Sequence, residues 1–214
     1  MDEEITIIDS NTRNEKIKNF FINNKKSLIL GFSIIIFTII SYLSMMEMKE
    51  RKKIKLAKQF NEATINFKTE DTQKTIKQLT KLISENDATY SPLALYFLID
   101  NNLIDNKNEL NSLFDELIKE TNLDEEIKNL IIYKKALFNS DFVSENELLK
   151  ILNPVINSES IWKSHALYLL AEYFFSKNEK LKAKEVFNQI LILPKVNNDI
   201  KLESRKRLNR DLSE

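Results

Sequence analysis

The sequence predicts an all-α protein: one N-terminal transmembrane helix followed by a tetratricopeptide-like superhelix of antiparallel helix pairs. A stretch of twenty residues without a charge lies near the N-terminus, at residues 27–46. Glycine occurs once and proline three times in 214 residues, whereas β-rich folds need many turns that glycine usually supplies. Asparagine is plentiful and can supply some of those turns. After the uncharged stretch, apolar residues recur at helical spacing.

The charge balance and the lack of cysteine exclude several classes of function. The chain has 32 basic and 32 acidic residues, so its formal net charge is zero. A protein with this balance is not suited to bind nucleic acid. Because the chain contains no cysteine, disulfides, thiolate catalysis and cysteine-ligated metals are excluded.

The uncharged stretch, Ser27–Met46, is predicted to span a membrane. A helix of this length reaches about 30 Å, the thickness of a hydrocarbon core. A cleaved signal peptide is the alternative, but the apolar run is longer than a typical signal sequence, and no A-x-A-like cleavage site follows it. We therefore predict an N-terminal segment at residues 1–26, an uncleaved anchor at 27–46 and a helical domain at 47–214.

Charge does not decide how the anchor is oriented. Five basic residues precede it within residues 13–26, and six follow it within residues 49–58. The positive-inside rule therefore compares two nearly equal counts, and it weakens when a large domain follows the anchor.

The helical domain is predicted to consist of short helices joined by polar turns. Ser91 is predicted as an N-cap with Pro92 at the first helical position, and Ser144 forms a capping box with Glu147. The predicted helices cover residues 54–67, 72–84, 93–102, 108–120, 123–139, a short stretch from 144, 160–176, 179–193 and 199–214.

Two residue types recur at the spacing of tetratricopeptide repeats. Ala136 and Ala171 are 35 residues apart, as are Tyr133 and Tyr168, and Tyr96 precedes Tyr133 by 37. The earlier units are degenerate, so a helical bundle without a repeat is the alternative. The last unit fits the repeat motif best, with Leu170, Ala171, Phe174, Ala183, Phe187 and Pro194 at its positions.

Three stretches resemble the YfgM-like proteins, which are bacterial ancillary subunits of the Sec translocon. The stretches are residues 18–32 (KNFFINNKKSLILGF), 89–110 and 164–191, while residues 111–158 depart furthest. The resemblance implies a cytoplasmic N-terminus, an inner-membrane anchor and a periplasmic domain. It also implies protein partners, namely translocon subunits, a periplasmic chaperone or prolyl isomerase, and exported proteins.

The sequence contains no catalytic motif, and we predict a protein that is not an enzyme and has no cofactor, metal or small-molecule substrate. The nucleophile elbow, the zinc-protease helix and the Gly-rich phosphate loop are all absent. The only histidine is His165, and a catalytic or metal-binding histidine needs a partner. We interpret His165 as a groove or surface residue.

A recurring tyrosine predicts a protein-binding groove. In tetratricopeptide-like folds, certain first-helix positions line the concave face, and tyrosine occupies one of them in three successive units. Tyrosine suits a peptide groove because it has a large apolar face, a hydroxyl and little rotamer entropy. The alternative is that these tyrosines pack between neighbouring first helices. The predicted groove consists of Tyr96, Asp100, Tyr133, Leu137, His165, Tyr168, Glu172 and Phe175.

The anchor is also predicted to contact other membrane helices. Small and hydroxyl-bearing residues favour packing between helices in a bilayer, although four such residues can also gather by chance. Four such residues of the anchor fall within about 80° of one another around the helix axis. The predicted contact face consists of Ser27, Gly31, Thr38 and Ser41.

Together these observations favour a membrane-anchored, chaperone-like adaptor at the Sec translocon, whose groove holds a partner or an exported segment. The alternative is a structural assembly subunit of another envelope complex, such as one for outer-membrane assembly or cell division.

Overall fold

The chain is helical throughout the part that the structure describes. The computed structural model describes residues 2–65, 67 and 72–212, with side chains described from residue 13 onward. These residues form helices and no strand, which confirms the all-α prediction. The helices are α1 (Asp2–Asn23), α2 (Lys25–Ile65), α3 (Thr72–Ile83), α4 (Tyr90–Asp100), α5 (Lys107–Glu120), α6 (Glu125–Asn139), α7 (Glu145–Ile156), α8 (Lys163–Ser176), α9 (Lys180–Leu191) and α10 (Asn198–Asp211).

The first of two compact units extends to Lys55, and the second begins at Leu56, within α2. In the first unit, α1 is a helix that the sequence patterns did not indicate. Asn24 separates α1 from α2, yet helical hydrogen bonds continue on both sides of it. The Asn24 N–H donates to the Phe20 carbonyl at 3.0 Å, and the Leu28 N–H donates to the Asn24 carbonyl at 2.9 Å.

α2 is long and apolar enough to cross a membrane, judged by its length and composition. None of its most apolar window is buried, so this window is not the core of the described fold. Large side chains such as Phe32, Phe37 and Tyr42 are exposed. Because each exposed side chain of this size forgoes about 1.5 to 3 kcal/mol of burial, such a surface favours a bilayer over water. α2 is therefore a candidate membrane span.

In the second unit, helices pack mainly against their neighbours in the chain. α3 packs against α4, α6 against α7, and α8 against α9. Helices two apart also meet: α3 contacts α5, α6 contacts α8, and α8 contacts α10. The α6/α7 and α8/α9 pairs are therefore joined through their first helices, and α8 also contacts α10.

Two hydrophobic cores stabilise the second unit. One is formed by the end of α2 with α3, α4 and α5, and includes Phe114. The other is formed mainly by α6 to α9 with Leu212 after α10, and includes Phe187. Ala136, Ala171 and Ala183 are fully buried in the second core. Any larger side chain at these three positions would separate helices that now touch.

The capping box predicted at α7 is confirmed, whereas the predicted N-cap of α4 is wrong. Ser144 Oγ accepts from the Glu147 N–H at 3.4 Å, and the Glu147 carboxylate accepts from the Ser144 N–H at 3.0 Å. α4 begins one residue before Ser91, whose hydroxyl donates to the Leu82 carbonyl of α3 at 2.9 Å. The carboxylate of Asp87 accepts the Tyr90 N–H instead, at 2.8 Å. Ser91 is therefore a tertiary contact.

Asparagine takes the role of glycine at three turns. Asn86, Asn102 and Asn178 have φ of 52°, 51° and 62°, in the left-handed region. After α8 the Glu179 N–H donates to the Phe174 carbonyl at 2.9 Å, and the Asn178 N–H donates to the Phe175 carbonyl at 3.0 Å. This pattern is a Schellman motif, which ends the helix and satisfies its last carbonyls.

Candidate protein-binding site

The residues of the predicted groove lie on α4, α6 and α8. α6 and α8 are the first helices of their pairs, whereas α4 packs mainly against the preceding α3, so it is not the first helix that the repeat spacing predicts. The three tyrosines, His165, Glu172 and Phe175 are partly buried, whereas Asp100 is exposed and Leu137 is 49% exposed. The groove residues are distributed as Tyr96 and Asp100 on α4, Tyr133 and Leu137 on α6, and His165, Tyr168, Glu172 and Phe175 on α8.

Tyr133, Trp162 and His165 form an aromatic cluster between α6 and the start of α8. The rings of Tyr133 and Trp162 are stacked, with centroids 6.0 Å apart and planes inclined by 19°. The His165 ring lies 5.9 Å from Tyr133 and 5.1 Å from Trp162. Tyr133 thus packs against the next first helix and keeps part of its surface exposed. Its role in binding stays a prediction.

The turn before α8 holds Trp162 in this cluster. Ser160 Oγ accepts from the Trp162 N–H at 3.1 Å and donates to the Glu126 carboxylate of α6 at 2.6 Å. Ser160 is buried, so this bond to a charged acceptor is shielded from water. The link fixes the start of α8 against α6, and it therefore fixes the spacing of the aromatic rings.

The electrostatics of the cluster favour a neutral imidazole. Burial lowers the pKa of His165, and the Ile161 carbonyl opposes this shift because it favours the protonated ring. Burial also raises the pKa of the Tyr133 hydroxyl, so this group remains a hydrogen-bond donor at neutral pH. The cluster thus presents apolar ring faces with a few polar edges.

A pocket of about 480 Å³ opens beside the cluster. This volume lies within the range of small ligand sites, or of one or two peptide side chains. Apolar groups form most of the wall, and the Lys195 ammonium supplies a positive charge. The lining residues are Ile161, Trp162, His165, Lys195, Val196 and Asn197.

Tyr96, the first tyrosine of the predicted groove, also faces α6. The Lys134 ammonium lies 4.4 Å from the centre of the Tyr96 ring, in a cation–π contact. Burial raises the pKa of Tyr96 to about 12. Its phenol therefore stays protonated under physiological conditions.

The far end of the predicted groove is covered by α10. Both nitrogens on one edge of the Arg207 guanidinium donate to the Glu172 carboxylate, Nε at 2.7 Å. The same guanidinium lies 4.9 Å from the centre of the Phe175 ring, and Nη1 donates to Asp211 at 2.9 Å. The pKa of Asp211 is held well below its usual range by Arg210 and Arg207. Glu172 and Phe175 therefore contact the chain's own helix.

Tyr168 lies between these two environments. Its ring meets the buried Phe187 ring edge-on at 5.6 Å. Burial raises the pKa of Tyr168, with a further contribution from the Glu172 carboxylate that Arg207 opposes. The structure thus brings Tyr133 and His165 together, and it places Glu172 and Phe175 under α10.

A second pocket, of about 510 Å³, was not predicted from the sequence. It lies among α5, α6 and α7, where Lys135 Nζ pairs with Asp115 at 2.9 Å. The side-chain amides of Asn111 and Asn139 exchange two hydrogen bonds, at 3.0 and 2.8 Å. Its residues come from three helices without a shared spacing, so no linear motif indicates it. Trp162 was missed as a groove residue too, although a lone tryptophan at a helix start was the available signal.

The predicted contact face of the anchor lies on α2 and is exposed. A Cβ atom added to Gly31 would meet nothing within 4 Å. The Thr38 hydroxyl donates to the Ile35 carbonyl at 2.7 Å, within its own helix. Ser27 and Ser41 are exposed as well. This face is open to a partner, and its role stays a prediction.

Neither a metal site nor a match to a known protein indicates what this chain binds. Among the described residues, no three His, Cys, Asp or Glu side chains are grouped so that they could hold a metal ion. No family model, no curated protein and no solved structure matches this chain. The resemblance to YfgM-like proteins therefore stays a prediction.

Proposed function

We propose that this protein is a membrane-anchored adaptor that binds segments of other proteins at the aromatic cluster and along the open part of α6. The observation that carries the proposal is the cluster of Tyr133, Trp162 and His165 beside a pocket of about 480 Å³. This cluster belongs to a helical domain that follows a candidate membrane span.

The chemistry of this surface suits a peptide with an apolar side chain. Tyrosine and tryptophan rings are enriched where proteins bind each other, because they bury a large area with few rotatable bonds. The exposed Leu137 extends the apolar surface along α6, and Lys195 offers a cation to a nearby carboxylate. The absence of a catalytic motif from the sequence supports binding as the function.

The place of action is proposed from the resemblance described above. We propose an N-terminus in the bacterial cytoplasm, α2 as a single span of the inner membrane, and a periplasmic tetratricopeptide-like domain. The proposed partners are Sec translocon subunits, a periplasmic chaperone or prolyl isomerase, and exported chains. Small-molecule substrates, nucleic acid and cofactors have no place in this proposal.

Site-specific crosslinking in cells tests the adaptor function. A photo-reactive amino acid replaces Leu137, which is exposed and lies on the proposed surface, and crosslinked proteins are identified by mass spectrometry. Translocon subunits or exported chains should be captured from Leu137. The matched control is Leu181 on α9, which is 78% exposed and lies outside the proposed surface.

Two outcomes would decide against the proposal. Equal capture from Leu137 and Leu181 would show that partners do not bind preferentially at the proposed surface. Capture of an outer-membrane assembly or cell-division complex without translocon subunits would favour the structural assembly subunit. The orientation is tested separately, since alkaline phosphatase fused after Glu214 should be active only if the domain is periplasmic.

A further inference from the structure

The segment that precedes the apolar part of α2 concentrates exposed positive charge. Residues 13–26 contain five basic residues and one acidic residue, Glu15. All five cations are exposed, and within the described part of the chain none of them takes part in an ion pair. They are Arg13, Lys16, Lys18, Lys25 and Lys26.

An apolar stripe runs along the same segment. At 3.6 residues per turn, Ile17, Phe20 and Phe21 occupy about 100° of the helix surface. Phe20 and Phe21 are 56% and 57% exposed, and their rings meet edge-on at 6.0 Å. Lys16 and Lys18 flank the stripe, each within about 60° of its edge. Aromatic rings bordered by lysines are typical of helices that lie at a membrane surface.

The segment on the other side of the span differs. There Arg51 pairs with Glu47 at 2.7 Å, and Lys58 lies 3.8 Å from Glu62. Lys49 and Lys53 are exposed and take part in no ion pair with the described residues, so the two sides differ chiefly in their aromatic residues. Between Met48 and Lys58 the sequence contains no aromatic residue. Unpaired cations beside exposed aromatic rings are thus a property of the N-terminal side.

We propose that residues 13–26 bind the anionic headgroups of membrane lipids; this inference rests on the proposed membrane anchor. The cations complement lipid phosphates, while the apolar stripe contacts the headgroup layer. Because helical hydrogen bonds continue on both sides of Asn24, the rise of about 1.5 Å per residue in α2 extends back into this segment. Phe20 therefore lies about 10 Å from Ser27 along the helix, at the outer side of the headgroup layer.

Spin labelling of the full chain in vesicles tests this inference. Because the sequence contains no cysteine, Asn19→Cys carries one nitroxide in the segment and outside the stripe. The measured quantity is the ratio of immobilised to mobile spectral components. The ratio should be high in phosphatidylcholine vesicles with 30% phosphatidylglycerol and low in phosphatidylcholine alone.

Charge removal gives the expected size of the effect. Each basic residue near an anionic surface strengthens association roughly fivefold, so Lys16→Gln/Lys18→Gln should lower the ratio about thirtyfold. Salt at 1 M should act similarly, since it shortens the Debye length from about 10 Å to about 3 Å. Lys49→Gln/Lys53→Gln is the matched control, because it removes the same charge on the other side of the span. This control should leave the ratio unchanged.

Three results would overturn the inference. Equal ratios in the two lipid compositions would show that the segment does not recognise anionic headgroups. A ratio that falls when the protein is diluted at constant composition would identify a second copy of the chain as the occupant. If the chain floats with neither type of vesicle, α2 is not a membrane anchor, and both the proposed function and this inference are wrong. Flotation with equal ratios overturns this inference alone.

Discussion

Equivalent positions on α6 and α8 have different surroundings. Leu137 of α6 and Glu172 of α8 are 35 residues apart, which is the predicted repeat spacing. Leu137 is 49% exposed, whereas Glu172 is held by Arg207 of α10. The two positions have the same spacing from the buried alanines Ala136 and Ala171, but the helix that follows decides whether such a position is a surface or a contact.

The two helices also end differently. α8 ends in a left-handed Asn178, while α6 ends at Ser140, whose φ of −55° is ordinary for a helix. The chain thus passes from α8 to α9 through a tight turn that needs a special residue. It leaves α6 through a turn that most residues can form. The following predictions test how far the α6/α7 and α8/α9 pairs are alike.

The largest effect is expected where the pairs are alike. Ala136→Leu and Ala171→Leu should each lower the free energy of unfolding by about 1 to 3 kcal/mol, because both alanines are fully buried where helices meet. Denaturation followed by Trp162 fluorescence measures this loss. Asn188→Leu, at an exposed position of α9, is the control and should change little. A neutral result at either alanine would break the equivalence.

The next effect should distinguish the pairs. Asn178→Ala should cost about 1 to 2 kcal/mol, because a Cβ-bearing residue without a polar side chain is strained in the left-handed region. Ser140→Ala should cost much less, since its backbone is already helical. Asn178→Gly should be tolerated. Denaturant midpoints of the three variants measure these differences, and equal losses at Asn178 and Ser140 would contradict them.

A smaller effect is expected at the helix that covers α8. Arg207→Ala removes the contacts to Glu172, Asp211 and Phe175, and should cost about 1 kcal/mol because the ion pair is partly exposed. Hydrogen exchange of α10 amides should accelerate while that of α6 does not. Arg205→Ala, at an exposed position of the same helix, is the control. Unchanged exchange in α10 would show that Arg207 does not hold this helix.

The smallest effect concerns the charge of His165. Its folded-state pKa is lowered, so its contribution to stability is complete above the unfolded pKa of about 6.5 and is lost as the pH falls through the folded pKa. Trp162 is the only tryptophan and lies 5.1 Å from His165, so protonation of the imidazole should quench its fluorescence. The midpoint should lie below about 6.5, and His165→Gln should abolish the transition. A midpoint at or above that value would contradict the burial argument.

Local sequence signals predicted most helices but not all helix ends. The capping box at Ser144 forms as predicted, because both its bonds join residues three apart. Ser91 before Pro92 also has a local N-cap signature, yet its hydroxyl bonds to Leu82, nine residues away, and Asp87 accepts the N–H groups at the helix start. α1 was not predicted because the polar residues between its apolar ones obscure a helical period.

The sequence by itself determined the helical class, the apolar span and the small residues at close helix contacts, since these follow from composition and from spacing along one helix. The tertiary structure alone decided which predicted groove residues meet. Tyr133 joins Trp162 and His165 because Ser160 ties α8 to Glu126, and Glu172 is covered because α10 turns back onto α8. Contacts of this kind depend on how helices pack, and the spacing of residues within one helix does not encode that packing.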